Sequence, residues 1–212
     1  MDRPGDMSAI VALAPVIPVL TIERAADAVP LARALVRGGL PVLEITLRTG
    51  VALEALRAIA GEVPDAFVGA GTVLNARQLD QVRQAGARFA VSPGCTPGLA
   101  TAASASGLPF LPGVQTVTEA MELAERGFSL LKFFPADVAG GLGWLKAVAA
   151  PLAGLRFCPT GGISAATAPA YLALANVACI GGSWVAPKKA VVEKDWATIE
   201  RLAAAAANLR RP

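Results

Sequence analysis

The chain has 212 residues, long enough for one sizeable core, and no linker or low-complexity stretch divides it, so a single domain over residues 1–212 is expected. Although 54% of the residues are hydrophobic, Gly, Pro or a charge interrupts every apolar run before the length of about eighteen residues that spans a bilayer, which excludes a membrane partner. The net charge of +3 comes from dispersed basic residues without interleaved aromatics, so no nucleic-acid partner is expected.

The N-terminal segment has acidic residues and no basic stretch ahead of an apolar core of signal-peptide length. This pattern predicts a cytoplasmic location. Residues of about 2 to 14 are predicted to form a short lead-in helix that covers the bottom of the fold.

After this segment the chain repeats a short apolar strand, a turn and an amphipathic helix that ends at a glycine. The strand starts recur at roughly 20 to 26 residues, which is the length of one βα unit with short loops. The predicted strands are residues 16–20, 42–45, 67–70, 89–91, 110–111, 130–133, 156–158 and 178–180.

The helices have recognisable start and stop signals. Thr116 and Glu119 form a predicted capping box, Asn75 begins a weaker one, and Ser164 is a predicted N-cap. The predicted C-cap glycines are Gly38, Gly61, Gly86, Gly107 and Gly127.

Eight such units favour an α/β protein of the TIM (β/α)₈ barrel type. A doubly wound open sheet is the main structural alternative, because it also alternates strands and helices. That fold usually binds phosphate at glycines in its first βα turn, whereas residues 19–23 contain no glycine. The glycine pairs follow the seventh and eighth strands instead.

Side-chain alternation along a strand predicts which residues point into a barrel. In the sixth strand, Leu131 and Phe133 form an apolar face suited to contact with helices, so Lys132 points inward. In the second strand, the same argument leaves Glu44 inside. The pattern therefore predicts a buried lysine and a buried glutamate in the barrel interior.

An ammonium group among apolar residues loses its proton more easily than one in water, and the neutral amine is a nucleophile. The first hypothesis for Lys132 is therefore a Schiff-base lysine. Two structural interpretations stay open: a lysine whose stem packs on the core while its head reaches water, and an ion pair with Glu44 that satisfies both charges.

The chain contains no histidine, which excludes Ser-His-Asp and Cys-His nucleophile systems and histidine-based zinc sites. Glu44 is then the best available general base. Cys95, Cys158 and Cys179 are odd in number and widely spaced, so reduced thiols packed as small hydrophobic groups are expected.

Polar residues follow the second and third strands. Arg48 suits a carboxylate through a bidentate pair, and Thr72 lies beside glycines that allow a ligand to approach the backbone. Taken alone, Arg48 is also compatible with a surface loop, and Thr72 with a plain turn.

The glycine pairs at 161–162 and 181–182 occupy the two loops between which barrels often bind phosphate. Together with the lysine, the carboxylate and the arginine, they indicate a substrate with a 2-keto acid at one end and a phosphate at the other.

At these positions the sequence resembles the 2-dehydro-3-deoxy-phosphogluconate (KDPG) aldolases, which also act as 4-hydroxy-2-oxoglutarate aldolases. The resemblance runs from about residue 16 to 184, and its motifs are specific as an ordered set. They are LEITLRT at 43–49, VGAGT at 68–72, SPG at 92–94, KFFPA at 132–136, FCPTGGI at 157–163 and IGGSW at 180–184.

The resemblance implies a class I aldolase that is a TIM barrel, assembles as a homotrimer, and needs no metal or other cofactor. By similarity, Lys132 would form the Schiff base and Glu44 would be the general acid and base. The residues that would bind the pyruvyl half and shape its pocket are Arg48, Thr72, Pro93 and Phe134.

By the same similarity, Thr160 would favour the gluconate-derived substrate over its galactonate epimer. The implied phosphate-binding residues are Gly161, Gly162, Gly182 and Ser183. Three rivals stay open: an aldolase for the galactonate epimer or for an unphosphorylated 2-keto acid, a non-catalytic sugar-phosphate-binding barrel or scaffold, and a magnesium-dependent aldolase built on carboxylates.

Overall fold

Residues 7–209 are described by a computed structural model in which short strands and helices alternate. The strands are β1 Val16–Leu20, β2 Val42–Thr46, β3 Phe67–Gly71, β4 Ala90–Val91, β5 Phe110–Leu111, β6 Gly113–Val114, β7 Leu130–Phe133, β8 Arg156–Pro159 and β9 Ile180–Gly182. The α-helices are α1 Met7–Val11, α2 Ala28–Arg37, α3 Ala52–Glu62, α4 Ala76–Gln84, α5 Pro97–Ser106, α6 Val117–Glu125, α7 Gly141–Val148, α8 Ala168–Leu172, α9 Lys188–Val192 and α10 Trp196–Ala207, and a 3-10 helix, Ala25–Asp27, precedes α2.

The strands form a closed parallel barrel. β1 pairs in parallel with both β2 and β9, so the first and last strands are neighbours. Isolated parallel bridges join Phe157 to Val177 and Thr160 to Gly181, which connects β8 to the β9 segment. An open doubly wound sheet leaves its last strand at an edge. The predicted (β/α)₈ barrel is therefore confirmed, and the open-sheet alternative is wrong.

β5 and β6 are two halves of one barrel strand, separated by Pro112. β5 pairs with β4, whereas β6 pairs with β7. Proline has no N–H to donate, but the carbonyl of Pro112 accepts a hydrogen bond of 2.8 Å from the N–H of Lys132. With these halves taken together, the described residues contain eight barrel strands, as the sequence predicts.

Three local predictions are wrong. β9 covers Ile180–Gly182 and not the predicted 178–180. Its ladder with β1 starts at Ile180 and continues through Gly181 and Gly182, which therefore belong to the strand and not to the following loop. Gly61 lies inside α3, at an exposed position where a side chain would meet open space. Ser164 accepts a hydrogen bond from the Thr167 N–H in a turn that precedes α8, so it is not the N-cap of that helix.

The predicted capping box at the start of α6 is confirmed. The Thr116 hydroxyl accepts from the Glu119 N–H, and the Glu119 carboxylate accepts from the Thr116 N–H at 2.8 Å. Burial alone would raise the pKa of Glu119, but hydrogen bonds from the N–H groups of Gln115 and Thr116 outweigh burial and lower this pKa. The ionised Glu119 carboxylate is thus the form that caps the first turn of α6.

The buried apolar residues form two clusters, one inside the barrel and one between the barrel and the helices. Met7 and Ile10 of α1 pack with Val42 and Leu130 in the inner cluster, so the lead-in helix covers the bottom of the barrel as predicted. Residues 2–6 of that prediction lie outside the described residues. Between residues 7 and 209, no helix is both long and apolar enough to cross a membrane.

Aromatic packing fixes the outer face of β7. The ring of Phe133 stacks on Trp144 of α7 with centroids 4.2 Å apart, and Trp144 meets Phe157 of β8 edge-on at 5.3 Å. Because successive side chains on a strand point to opposite faces, this outward packing directs Lys132 into the barrel.

Candidate active site

Lys132 of β7 and Glu44 of β2 meet inside the barrel. The Lys132 Nζ donates a hydrogen bond of 3.1 Å to Glu44 Oε1, and the two residues are only 4% and 3% exposed. The strand alternation predicted that both side chains point inward, and the structure confirms this. A buried ion pair is stable only when each charge compensates the other, so the stability of Lys132 and Glu44 is coupled.

Glycines on the inner face of the barrel make room for this pair. A Cβ at Gly71 would collide with the Glu44 carboxylate, so the glutamate occupies the volume that a side chain at β3 would fill. Gly113 is the register partner of Lys132 on β6, and a Cβ there would collide with the backbone of Pro93. Neither role is apparent from the sequence, because each depends on the neighbouring strand.

Arg48 and Thr72 are linked at the rim, where β2 and β3 end. Arg48 Nε donates to Thr72 Oγ1 at 3.2 Å, while the terminal nitrogens of this exposed guanidinium make no hydrogen bond to the described residues. Thr72 has a φ of 61°, a left-handed conformation that is rare for a β-branched residue. Such backbone strain is typical of ligand-binding positions.

A cavity of about 270 Å³ lies at the C-terminal ends of the strands. It contains most of the predicted site residues, including Lys132, and several that the prediction omitted. Its lining residues are Val19, Thr21, Arg48, Lys132, Phe134, Thr160, Gly161, Gly162, Ile163, Gly181, Gly182 and Ser183. The lysine thus shares one cavity with the arginine and with both late glycine pairs, one after β8 and one at the end of β9.

The glycine pairs lie where only glycine fits. Gly161 and Gly162 have φ values of 99° and 78°, a region that side chains rarely adopt. A Cβ at Gly181 would collide with the Thr160 side chain, and a Cβ at Gly182 would collide with the Trp184 ring. The backbone of both segments therefore borders the cavity directly, without side chains in between.

Three predicted site residues do not line this cavity. Glu44 is hydrogen-bonded to Lys132, and Thr72 to Arg48, two residues that do line the cavity. Pro93 is half-buried, and its backbone packs against Gly113. Phe134 does line the cavity, with its ring centroid 5.4 Å from Lys132 Nζ.

The cysteines carry no disulfide, as predicted. Burial raises the pKa of the Cys95 thiol to about 11, although Arg126 and Ser92 oppose this shift. A thiol with this pKa is protonated at neutral pH and is therefore a weak nucleophile. Lys132 lines the cavity and Cys95 does not, so Lys132 is the stronger candidate for covalent chemistry.

Two cavity residues on β1 and just after it, Val19 and Thr21, are absent from the predicted site. Ile17 belongs to the inner cluster, so the period of two along β1 also directs Val19 and Thr21 inward. The alternation argument that located Lys132 and Glu44 could have found them. β1 carries no charged residue, so its inward positions do not stand out in the sequence.

Comparison with known proteins agrees with this geometry. The profile of the KDPG and KHG aldolases matches residues 7–202. The KHG/KDPG aldolase of Escherichia coli is 52% identical over 194 residues, which cover 92% of this chain and 91% of that protein.

Two solved structures are also similar. The KDPG aldolase of Legionella pneumophila, with pyruvate captured as a covalent carbinolamine intermediate, has a TM-score of 0.93 and 47% identity over 95% of this chain and 98% of its own. The 2-keto-3-deoxy-6-phosphogluconate aldolase of Zymomonas mobilis with 3-phosphoglycerate has a TM-score of 0.94 and 49% identity, covering 99% and 98%. The chain belongs to the KDPG and KHG aldolase family.

Proposed function

We propose that this chain is a class I aldolase that reversibly cleaves 2-dehydro-3-deoxy-6-phosphogluconate to pyruvate and glyceraldehyde 3-phosphate. The observation that carries the proposal is the buried contact of 3.1 Å between Lys132 and Glu44, beside a cavity with Arg48 on its rim. The covalent pyruvate adduct in the Legionella pneumophila relative supports a Schiff-base route.

In the first step, the neutral amine of Lys132 adds to the C2 ketone of the substrate. Glu44 passes the proton that the attacking nitrogen loses to the C2 oxygen, which becomes a hydroxyl. It then donates the proton that the Lys132 ammonium group released on becoming neutral, and the hydroxyl leaves as water. The 3.1 Å contact puts the carboxylate within hydrogen-bond reach of that nitrogen, as a general acid and base requires. The product of this step is an iminium ion between Lys132 and C2.

In the second step, the electron pair of the C3–C4 bond moves toward the iminium ion, which becomes a neutral enamine. Glu44, through a bridging water, takes the proton of the C4 hydroxyl, and glyceraldehyde 3-phosphate leaves. Protonation of the enamine at C3 and hydrolysis of the resulting imine then release pyruvate and the free amine. Because each proton that is taken up is returned, no cofactor is required.

The substrate would lie across the rim with its carboxylate toward β2 and β3. Arg48 offers a guanidinium to the carboxylate, and Thr72 positions it through the 3.2 Å hydrogen bond. Phe134 would form the apolar side of the pyruvyl pocket. Pro93 contributes indirectly, by packing against the β6 glycine that neighbours Lys132.

The phosphate would lie at the other end of the cavity, on the backbone of Gly161, Gly162 and Gly182 and on the Ser183 hydroxyl. Binding energy from this remote group positions the reacting C3–C4 bond. Thr160 lies between the phosphate end and Lys132, where its hydroxyl can distinguish the gluconate-derived substrate from its galactonate epimer.

Trapping with pyruvate tests the mechanism. Incubation with pyruvate followed by borohydride reduction should attach one pyruvyl group to Lys132, located by mass spectrometry of the digested protein. The exposed residues Lys146, Lys188, Lys189 and Lys194 serve as internal controls. An unmodified Lys132, or an adduct on one of the control lysines, would refute the Schiff-base assignment and favour a non-catalytic barrel.

Ranking the substrates tests the phosphate assignment. The kcat/KM value should be highest for 2-dehydro-3-deoxy-6-phosphogluconate, lower for its galactonate epimer, and lower still for unphosphorylated 4-hydroxy-2-oxoglutarate. The dual name of the Escherichia coli relative supports activity on the last of these as a secondary reaction. A preference for the unphosphorylated substrate would contradict the phosphate site, and loss of activity in EDTA would favour the magnesium alternative.

The assembly is proposed to be a homotrimer in the cytoplasm. Three exposed apolar side chains support an oligomer, because Leu74, Val117 and Val138 follow β3, β6 and β7 on the catalytic rim, and Val138 is 79% exposed. Light scattering should give three times the 21.5 kDa of one chain. A monomeric mass would exclude the trimer, and cell fractionation would test the location.

A further inference from the structure

Thr21 separates the substrate cavity from a larger neighbouring cavity. It follows β1 at the rim and lines the 270 Å³ cavity together with Val19 and Ser183. The same three residues also line a second cavity of about 520 Å³, which extends over the start of α2. Thr21 has no role in the proposed mechanism.

The hydrogen bonds of Thr21 fix the direction of its hydroxyl proton. The fully buried Thr46 hydroxyl donates to the carbonyl of Leu20 at 2.9 Å. Thr46 Oγ1 also lies 3.1 Å from Thr21 Oγ1. Because Thr46 has a single hydroxyl proton and gives it to Leu20, Thr21 must be the donor in the bond between the two threonines.

Thr21 therefore presents hydrogen-bond acceptor lone pairs to the cavity. An acceptor attracts a hydroxyl or an N–H group, whereas it repels carboxylate and phosphate oxygens. The two anionic ends of a phosphorylated 2-keto acid are thus poor partners for Thr21. A hydroxyl group in the middle of the substrate is a suitable one.

The position of Thr21 along the rim agrees with this chemistry. β1 lies between β9, which leads to Ser183, and β2, which carries Glu44. A substrate that reaches from Arg48 to the Ser183 loop must pass Thr21 between its reacting bond and its phosphate. In 2-dehydro-3-deoxy-6-phosphogluconate, the group at this place is the C5 hydroxyl.

We propose that Thr21 is a specificity-determining residue that accepts a hydrogen bond from the substrate hydroxyl between the reacting bond and the phosphate, with Thr46 orienting it. This inference rests on the proposed function and adds to it the recognition of the central hydroxyl. Discrimination of this kind is effective because an analogue without the hydroxyl leaves the acceptor without its partner.

The test compares two aldehydes in the condensation direction with pyruvate. D-glyceraldehyde 3-phosphate carries the hydroxyl that becomes the C5 hydroxyl, and 3-oxopropyl phosphate lacks it. For the wild-type chain, kcat/KM should be higher for glyceraldehyde 3-phosphate. Thr21→Val, which has the same shape without the hydroxyl, should lower the ratio of the two values by roughly tenfold, whereas Thr21→Ser should preserve it.

The second aldehyde distinguishes recognition from damage to the barrel. Damage lowers kcat/KM for both aldehydes in proportion and leaves the ratio unchanged, and an unchanged ratio in Thr21→Val overturns the inference. Equal ratios in Thr21→Val and Thr21→Ser overturn it as well. If the wild-type chain forms no product from pyruvate and glyceraldehyde 3-phosphate, the proposed function itself fails, and the inference fails with it.

Discussion

Aldol cleavage is expected to stop when Lys132 is replaced by methionine, which fills a similar volume but cannot form an imine. We expect kcat to fall by roughly 10⁴-fold or more, the scale on which removing a covalent nucleophile acts in other enzymes. Borohydride in the presence of pyruvate should then leave the protein unmodified. Lys188→Met is the matched control, because Lys188 forms an exposed ion pair with Glu23 and lies on the surface. Full activity in Lys132→Met would contradict the mechanism.

The same variant makes a prediction about stability. Lys132→Met leaves the Glu44 carboxylate buried without a cation, which costs about 3–5 kcal/mol of unfolding free energy. The double variant Lys132→Met with Glu44→Gln has no uncompensated charge and should recover part of that loss. Urea unfolding measures both values. Equal unfolding free energies for the single and double variants would show that the pair is not coupled.

The second large effect is expected for Glu44→Gln, which keeps the shape of the side chain but cannot accept a proton from Lys132. We expect kcat to fall by about 10²–10⁴-fold, the usual contribution of a general acid and base. Pyruvate should still be trapped on Lys132, but more slowly, because the nucleophile itself is intact. Glu200→Gln, in an exposed pair with Arg37, is the matched control and should keep its activity. An unchanged kcat in Glu44→Gln would exclude the proton-transfer role.

The Gly71→Ala variant tests the role of Glu44 from the neighbouring strand, β3. The added Cβ takes the space of the Glu44 carboxylate, so the glutamate must move away from Lys132. We therefore expect kcat to fall in Gly71→Ala as well. In the double variant Gly71→Ala with Glu44→Gln, kcat should be little lower than in Glu44→Gln alone, because both changes remove one function. Fully additive losses would indicate general damage to the barrel instead.

The central pair could be predicted from the sequence because the strand period is a local property. Once Leu131 and Phe133 are assigned to the outer face, Lys132 has only the inner face left, and the same argument applies to Glu44. The barrel follows from the repeat of eight units for a similar reason. No knowledge of distant contacts is needed for these steps.

The remaining features depend on contacts between strands. The role of Gly71 is visible only when the register places β3 beside the Glu44 side chain. The proton direction at Thr21 requires the distance to Thr46, which is fixed by the packing of β1 on β2. Likewise, Pro93 packs its backbone against Gly113 of β6 and does not line the cavity. These three features arise from tertiary packing, so they cannot be predicted from the local pattern of a single sequence.

The apolar residues that fill the barrel below Lys132 restrict the route by which water can reach an imine on this lysine. Leu130, two residues before Lys132 on β7, also points into the barrel. Below it, Met7 and Ile10 of α1 close the bottom of the barrel. Water for imine hydrolysis would therefore arrive through the cavity at the C-terminal ends of the strands. In the proposed mechanism, pyruvate stays attached to Lys132 after the C3–C4 bond breaks, so the phosphorylated aldehyde is released first and pyruvate last. The enamine on Lys132 would face the cavity, where an incoming aldehyde would meet it in the condensation direction.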